Sequence, residues 1–391
     1  MNESLTATQE LRRAWVEIDL EALRRNFRRL SARVFPAKIL AVVKADAYGH
    51  GAVAVARALA PEGVAGFAVA TAEEAIELRE AGIQGSIVVL SPLPAEADGA
   101  LRQFQLTPVI SSLESLEALR ISTEGGGWRA GLHLKFDTGM TRLGIDDREA
   151  EAVLHSVRNA PSLRLEGLMS HLAEAETPDS EANLRQEARF AELVARLTAE
   201  ERSEVVLHLA NSAGALHLPA ARYDWVRLGI ALYGYDSAGR RDADLEPVMS
   251  VEAEIVQLKE IEPGTRVGYG GRWVAERPSR IGIVPVGYAD GYSWRLGNRA
   301  DALVGGRRVP VVGSVSMDLM AIDLTDSDAT VGAAVTLLGR QGGEEVSAVE
   351  LAENVGTIPY QLLCLFGLRL PRRTRGRNNA NQREHAESRR S

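Results

Sequence analysis

KILAVVKADAYGHG, residues 38–51, joins an apolar run to a polar, glycine-rich end. Ile39 to Val43 has the composition of a strand buried on both faces. It stops on Lys44, and Tyr48, Gly49, His50 and Gly51 follow at once. No GxGxxG pattern follows this strand, which lowers the case for an open sheet binding a dinucleotide at its first turn. Seven more strand-like runs come after it: GFAVA (66–70), SIVVL (86–90), LTPVI (106–110), GLHLKF (131–136), RLEGLMS (164–170), VVLHLA (205–210) and DWVRLGI (224–230). Helix-like runs separate them. AEEAIELREAG ends on a glycine stop, and SLESLEALR opens at Ser111 or Ser112 as N-cap. Alternating β and α implies parallel strands, and eight of them in about 200 residues imply a (β/α)8 barrel.

After Gly234 the pattern changes. SVEAEIVQLKEI, RIGIVPVGY, DALVGG, RRVPVVGSVSMDLMAIDL and AAVTLLGRQ are β-rich runs broken by Pro-Gly and Gly-Gly pairs. The expected organisation is a disordered N-terminus over 1–13, a barrel over 14–246, a mostly-β domain over 247–374 and a disordered tail over 375–391. The opening strand AWVEIDL belongs either to the barrel or to the β domain. A net charge of −8 on 391 residues argues against a general nucleic-acid binder. No apolar run approaches the ~20 residues of a membrane span, and MNESLTATQELRR has no apolar core of a secretory signal. The one cysteine, Cys364, lies in LLCLFG and reads as a buried, inert thiol. The expected compartment is the cytoplasm, with no metal, no nucleic acid and no membrane involved.

A barrel carries its chemistry at the C-terminal ends of its strands. Here those ends hold Lys44 and Tyr48, then Lys135, Asp137 and Arg142, then Ser170 and His171, then Asn211 and Ser212, then Arg227 and Gly229. Any one of these has a plain structural reading, such as a snorkelling lysine or a paired arginine. Five strand ends in agreement point to a site. The loops ANSAG and LGIALYG, after the seventh and eighth strands, suit a phosphate. A strand-end amine on one side and a phosphate cradle on the other fit pyridoxal 5'-phosphate, which bonds a lysine amine through its aldehyde.

AVVKADAYGHG, LKFDTGMTRLG, ANSAG, VRLGIALYG, VGYADGY and GSVSMD resemble, in that order, the motifs of the bacterial alanine racemases, pyridoxal-phosphate enzymes of fold type III. The resemblance covers residues 14–373. It implies that Lys44 carries the cofactor covalently and acts as base on the D-side proton, with Tyr288 as the second base on the L-side. It implies that Arg227 contacts the pyridine nitrogen and that His171 links this arginine to the catalytic tyrosine. Arg142 would touch the phenolic oxygen and the substrate carboxylate, and Met317 would bind that carboxylate through its backbone N–H. Tyr48, Ser212, Gly229, Ile230 and Tyr360 map onto phosphate-binding positions. Lys135 sits where many members carry a carbamylated lysine. Ser316 departs from the cysteine many relatives have. The implied assembly is a homodimer with shared sites, and the implied role is D-alanine supply for peptidoglycan. Competing readings are a broad-specificity or serine racemase, a decarboxylase of the same fold type, and a non-catalytic carrier of the cofactor.

Overall fold

The computed structural model describes residues 11–94, 97–124, 127–236 and 244–375. Contacts divide the chain into two units, Leu23–Leu245 and Met1–Ala22 with Glu246–Ser391. The first unit holds eight parallel strands: β2 (Lys38–Val42), β3 (Gly66–Val69), β4 (Ser86–Val89), β5 (Thr107–Ile110), β6 (Ala130–Lys135), β7 (Leu163–Met169), β8 (Val206–His208) and β9 (Trp225–Leu228). They pair in the order β8-β7-β6-β5-β4-β3-β2-β9. The seam between β8 and β9 is bridged by two backbone bonds, Asp224 N–H to Leu207 O at 3.1 Å and Arg227 N–H to Ala210 O at 3.0 Å. Eight parallel strands, a bridged seam and intervening helices make a TIM-like barrel. β3 and β5 are buried at every residue, so they read as unbroken apolar runs rather than alternating ones.

Caps set the helix boundaries. Thr71 and Glu74 form a capping box at Ala72–Glu80, and Ser112 rather than Ser111 caps Leu113–Thr123. A second capping box, Thr198 with Glu201, opens Ala199–Glu204. Each such cap contributes about 1 kcal/mol to its helix.

Among the described residues the second unit is one sheet with two α-helices, Ala348–Val355 and Pro359–Leu365, which the sequence pattern did not announce. Its strands are β1 (Ala14–Asp19), β10 (Met249–Glu254), β11 (Gln257–Ile261), β14 (Ser279–Val284), β15 (Asp301–Val304), β16 (Arg307–Val312), β17 (Met320–Asp323), β18 (Ala334–Gln341), β19 (Glu344–Val346) and β20 (Arg372–Arg375), with a separate hairpin of β12 (Arg266–Val267) and β13 (Trp273–Val274). The opening strand joins this sheet: β1 pairs antiparallel with β10 and parallel with β20. Its burial alternates residue by residue, the mark of a sheet with one covered face.

Two expectations need correcting. Residues 1–10 and 376–391 lie outside the described residues, but the segment beside each is held. Arg12 bonds Asp290 at 2.7 Å and the Pro285 carbonyl at 3.2 Å, Arg13 bonds Glu254 at 2.9 Å, and Arg375 ends β20. Cys364 is exposed, not buried. Its helix buries Leu362 and Leu363, and the next residue turns outward at about 100° per residue. Among the described residues no helix is long and apolar enough to cross a membrane.

Candidate active site

The chain leaves β2 through Lys44 and enters a left-handed turn. Ala45, Asp46, Ala47 and Tyr48 all have φ between 52° and 57°. Such a conformation costs roughly 1–2 kcal/mol per residue for any side chain beyond glycine. Four in succession at a strand end mark a turn held by its surroundings. The Asp46 carboxylate accepts from Ala52 N–H at 2.7 Å, and His50 Nδ1 lies 2.8 Å from the Ala47 carbonyl. The His50 ring stacks on Tyr233 at 4.3 Å, and the Tyr233 hydroxyl donates to Val42 O at 3.0 Å.

The turn carries Tyr48 over Gly229. A Cβ at Gly229 would lie 2.4 Å from the Tyr48 hydroxyl. The Ser212 hydroxyl accepts from Gly229 N–H at 3.1 Å. Ile230 is buried in the same loop. A tyrosine hydroxyl, a serine hydroxyl and a bare backbone therefore line one cradle, and they fit a phosphate. Gly229→Ala is expected to lower stability by about 1–3 kcal/mol, because its Cβ would overpack against the Tyr48 hydroxyl. Thermal unfolding reads this directly.

Across the rim, β6 ends on buried Lys135 and turns through Asp137. One Asp137 oxygen accepts from the N–H groups of Gly139, Met140 and Thr141 at 2.9–3.1 Å, shaping the loop that bears Arg142. Burial first, then the charges of Arg227, Arg142 and Lys44, push the Lys135 amine down to about 8, with Asp137 opposing. His171 feels the same cations and, chiefly through burial, is held well below the usual imidazole range. Lys44, Lys135, Arg142, His171 and Arg227 therefore meet in one field.

Arg227 organises the floor. Nη1 donates to His208 O at 2.9 Å and meets His208 Nδ1 at 3.1 Å. Nη2 donates to Ser170 O and Leu209 O, both at 2.8 Å, and meets His171 Nδ1 at 3.1 Å. Burial lowers Arg227 to about 9, so it is still cationic at neutral pH. A cationic donor fixes its partners' tautomers: His208 and His171 accept at Nδ1 and carry their proton on Nε2. His208 Nε2 then donates to His133 Nδ1 at 2.9 Å, and burial drives His133 down to about 3. Nε of Arg227 has no partner among the described residues, which leaves an N–H able to donate to a bound acceptor.

In the other unit Tyr288, Met317 and Ser316 share one loop contact. Tyr288 N–H donates to Ser316 O and Ala289 N–H to Met317 O, both at 3.0 Å. Only glycine fits at 287, where a Cβ would lie 2.3 Å from the Met317 carbonyl. Sequence reading missed Tyr269. It stands between Gly268, Gly270 and Gly271, all at positive φ, and its carbonyl accepts from the Ser314 hydroxyl at 3.0 Å. The clue was RVGYGG, residues 266–271: glycines at left-handed positions around one aromatic residue. Its side chain is 77% exposed, against 45% for Tyr288. Tyr360 lies on Pro359–Leu365, in the same unit as both tyrosines. His133 and His208 were also missed. His133 sits two residues before Lys135 on one strand, hence on the same face.

Models of the alanine racemase N-terminal and C-terminal domains match residues 18–237 and 248–374. An alanine racemase of Syntrophobacter fumaroxidans is 44% identical over 359 residues, covering 90% of this chain and 95% of that one. The crystal structure of alanine racemase from E. faecalis superposes with a TM-score of 0.88 at 35% identity, covering 93% of this chain and 98% of that one. That of Bartonella henselae, with covalently bound pyridoxal phosphate, gives 0.84 at 31% identity over 93% and 99%.

Proposed function

The chain belongs to the alanine racemase family, and from that premise we propose that it interconverts L- and D-alanine on pyridoxal phosphate held by Lys44, with Lys44 and a tyrosine of the C-terminal unit as bases on opposite faces. The observation that carries this is the convergence of Lys44, Lys135, Arg142, His171 and Arg227 at one barrel rim beside the Tyr48–Ser212–Gly229 cradle. When bound, the cofactor supplies a carbonyl for the substrate amine and a ring that takes up charge from the α-carbon. The chain's own residues do the rest. Tyr48, Ser212 and the Gly229 backbone hold the phosphate, with Tyr360 and Ile230 completing its surround. Arg227 presents an N–H to the ring nitrogen and keeps it unprotonated, which limits how much charge the ring accepts and disfavours side reactions. Arg142 and the Met317 N–H bind the substrate carboxylate. Borohydride reduction followed by peptide mapping tests the tether: the label is expected on Lys44, and a label on any other lysine refutes it.

For the second base we assign Tyr269 in preference to Tyr288. A base that serves a site outside its own unit must project from that unit. Tyr269 does so on a glycine-framed turn, whereas Tyr288 is more than half covered and its N–H is tied to Ser316. Met317, Leu319, Ile358 and Leu368 are also 45–90% exposed around these tyrosines' unit. These exposed apolar side chains support a homodimer, in which the tyrosine and Met317 enter the partner's site. A non-catalytic carrier is set aside because the racemase C-terminal domain is present. The proposed role is cytoplasmic supply of D-alanine for peptidoglycan.

Lys135 adds a modification. With its amine at about 8, roughly a tenth is neutral at pH 7, against well under a thousandth for an ordinary lysine. A neutral amine attacks carbon dioxide, forming an N–C bond and releasing a proton. The resulting anion would sit among Arg142, Arg227 and Lys44 and relieve their repulsion. Carbon-13 bicarbonate is expected to give a carbamate resonance that Lys135→Ala lacks; its absence from the wild type would rule the modification out.

A further inference from the structure

The bonds within residues 43–52 do not by themselves anchor the left-handed turn to the barrel. Ala47 N–H reaches Val43 O, Gly51 N–H reaches Asp46 O, and Asp46 reaches Ala52 N–H, all inside the segment. The residue directly after Lys44 is held from elsewhere. Ala45 N–H donates to Glu74 Oε1 at 2.6 Å. The other oxygen of the same carboxylate accepts from Ala70 N–H at 2.6 Å and from Thr71 N–H at 3.2 Å. Glu74 thus joins the exit of β2 to the exit of its neighbour β3. It is also the acidic member of the capping box at Ala72–Glu80, so the helix fixes its rotamer.

We propose that Glu74 is a positioning residue for Lys44: its carboxylate, bridging Ala45 N–H to the Ala70 and Thr71 N–H groups, holds the left-handed turn and so sets where the lysine amine stands. The inference rests on the cofactor reading of Lys44 given above. The bridge needs two acceptor oxygens. Glutamine has one, and its NH₂ would face a backbone N–H. Aspartate keeps both on an arm one methylene shorter.

The test compares wild type, Glu74→Gln, Glu74→Asp and Thr71→Ala. Thr71→Ala removes the hydroxyl half of the capping box but leaves the bridge. Each apo protein is mixed with pyridoxal phosphate, and the rate of borohydride-trappable capture on Lys44 is followed beside kcat, KM and Tm. Misplacement of a reacting group by about 1 Å costs on the order of 10²-fold. Glu74→Gln is expected to lower kcat by about that factor with KM little changed, and to slow capture to a similar degree. Thr71→Ala is expected to lower Tm while capturing at the wild-type rate. Wild-type capture by Glu74→Gln, or equal slowing by Thr71→Ala, would reduce Glu74 to a helix cap and overturn the proposal. If Glu74→Gln does not fold, Glu74→Asp carries the same expectation. A wild-type label away from Lys44 would sink the cofactor reading itself, before any variant is compared.

Discussion

Lys44→Ala loses alanine racemisation by at least ~10⁴-fold, because it removes a covalent anchor and a proton-transfer group together. The loss should come with little change in stability. Lys44 lies beyond the last residue of β2, so no strand pairing depends on its side chain. Removing the amine also withdraws one cation from the field that lowers Lys135 and His171, so both should titrate slightly higher than in the wild type. Racemase assays, the cofactor's visible absorbance after dialysis, and thermal unfolding separate these effects. Retained activity with retained colour would show that the tether and the base lie elsewhere.

Tyr269→Phe is expected to cost about 10²- to 10⁴-fold in racemisation, the range for losing one general base. Tyr288→Phe should cost markedly less. The loss at Tyr269 should be one-sided. In deuterium oxide the α-proton of D-alanine still exchanges through Lys44, but label no longer appears in L-alanine. If Tyr288→Phe shows the larger, one-sided loss, the base is Tyr288. Subunit sharing makes a further demand. Lys44→Ala and Tyr269→Phe proteins, each inactive, should regain about a quarter of wild-type activity when mixed, since half of randomly formed dimers then hold one intact site of two. Proven exchange without recovery would place both groups in one subunit.

The barrel was legible because its strands appear as short, mostly apolar runs, with β3 and β5 buried at every residue. The cationic rim was legible for a related reason. A lysine or arginine that closes such a run has few structural excuses. What the sequence concealed was of two kinds. His208 bonds Arg227 and in turn His133, and a bond between strands 75 residues apart leaves no local pattern. Glu74 reads as an ordinary helix-start acid, and only the fold reveals that it reaches back to Ala45. Tyr269 was passed over because GYADGY carries the louder motif, while its own signal lay in the glycines around it. Cys364 was misjudged because apolar neighbours in sequence are not neighbours in space on a helix.

The pairing of β1 orders events during synthesis. Val16 lies opposite Val251, so β1 cannot find its antiparallel mate until more than two hundred further residues have emerged. The barrel segment is complete by then, while Ala14, Val16 and Ile18 have waited without cover. Among the described residues β20 is the last strand in sequence, and β1 is its only neighbour in the sheet. A nascent chain that has mispaired β1 therefore leaves β20 without the neighbour it pairs with.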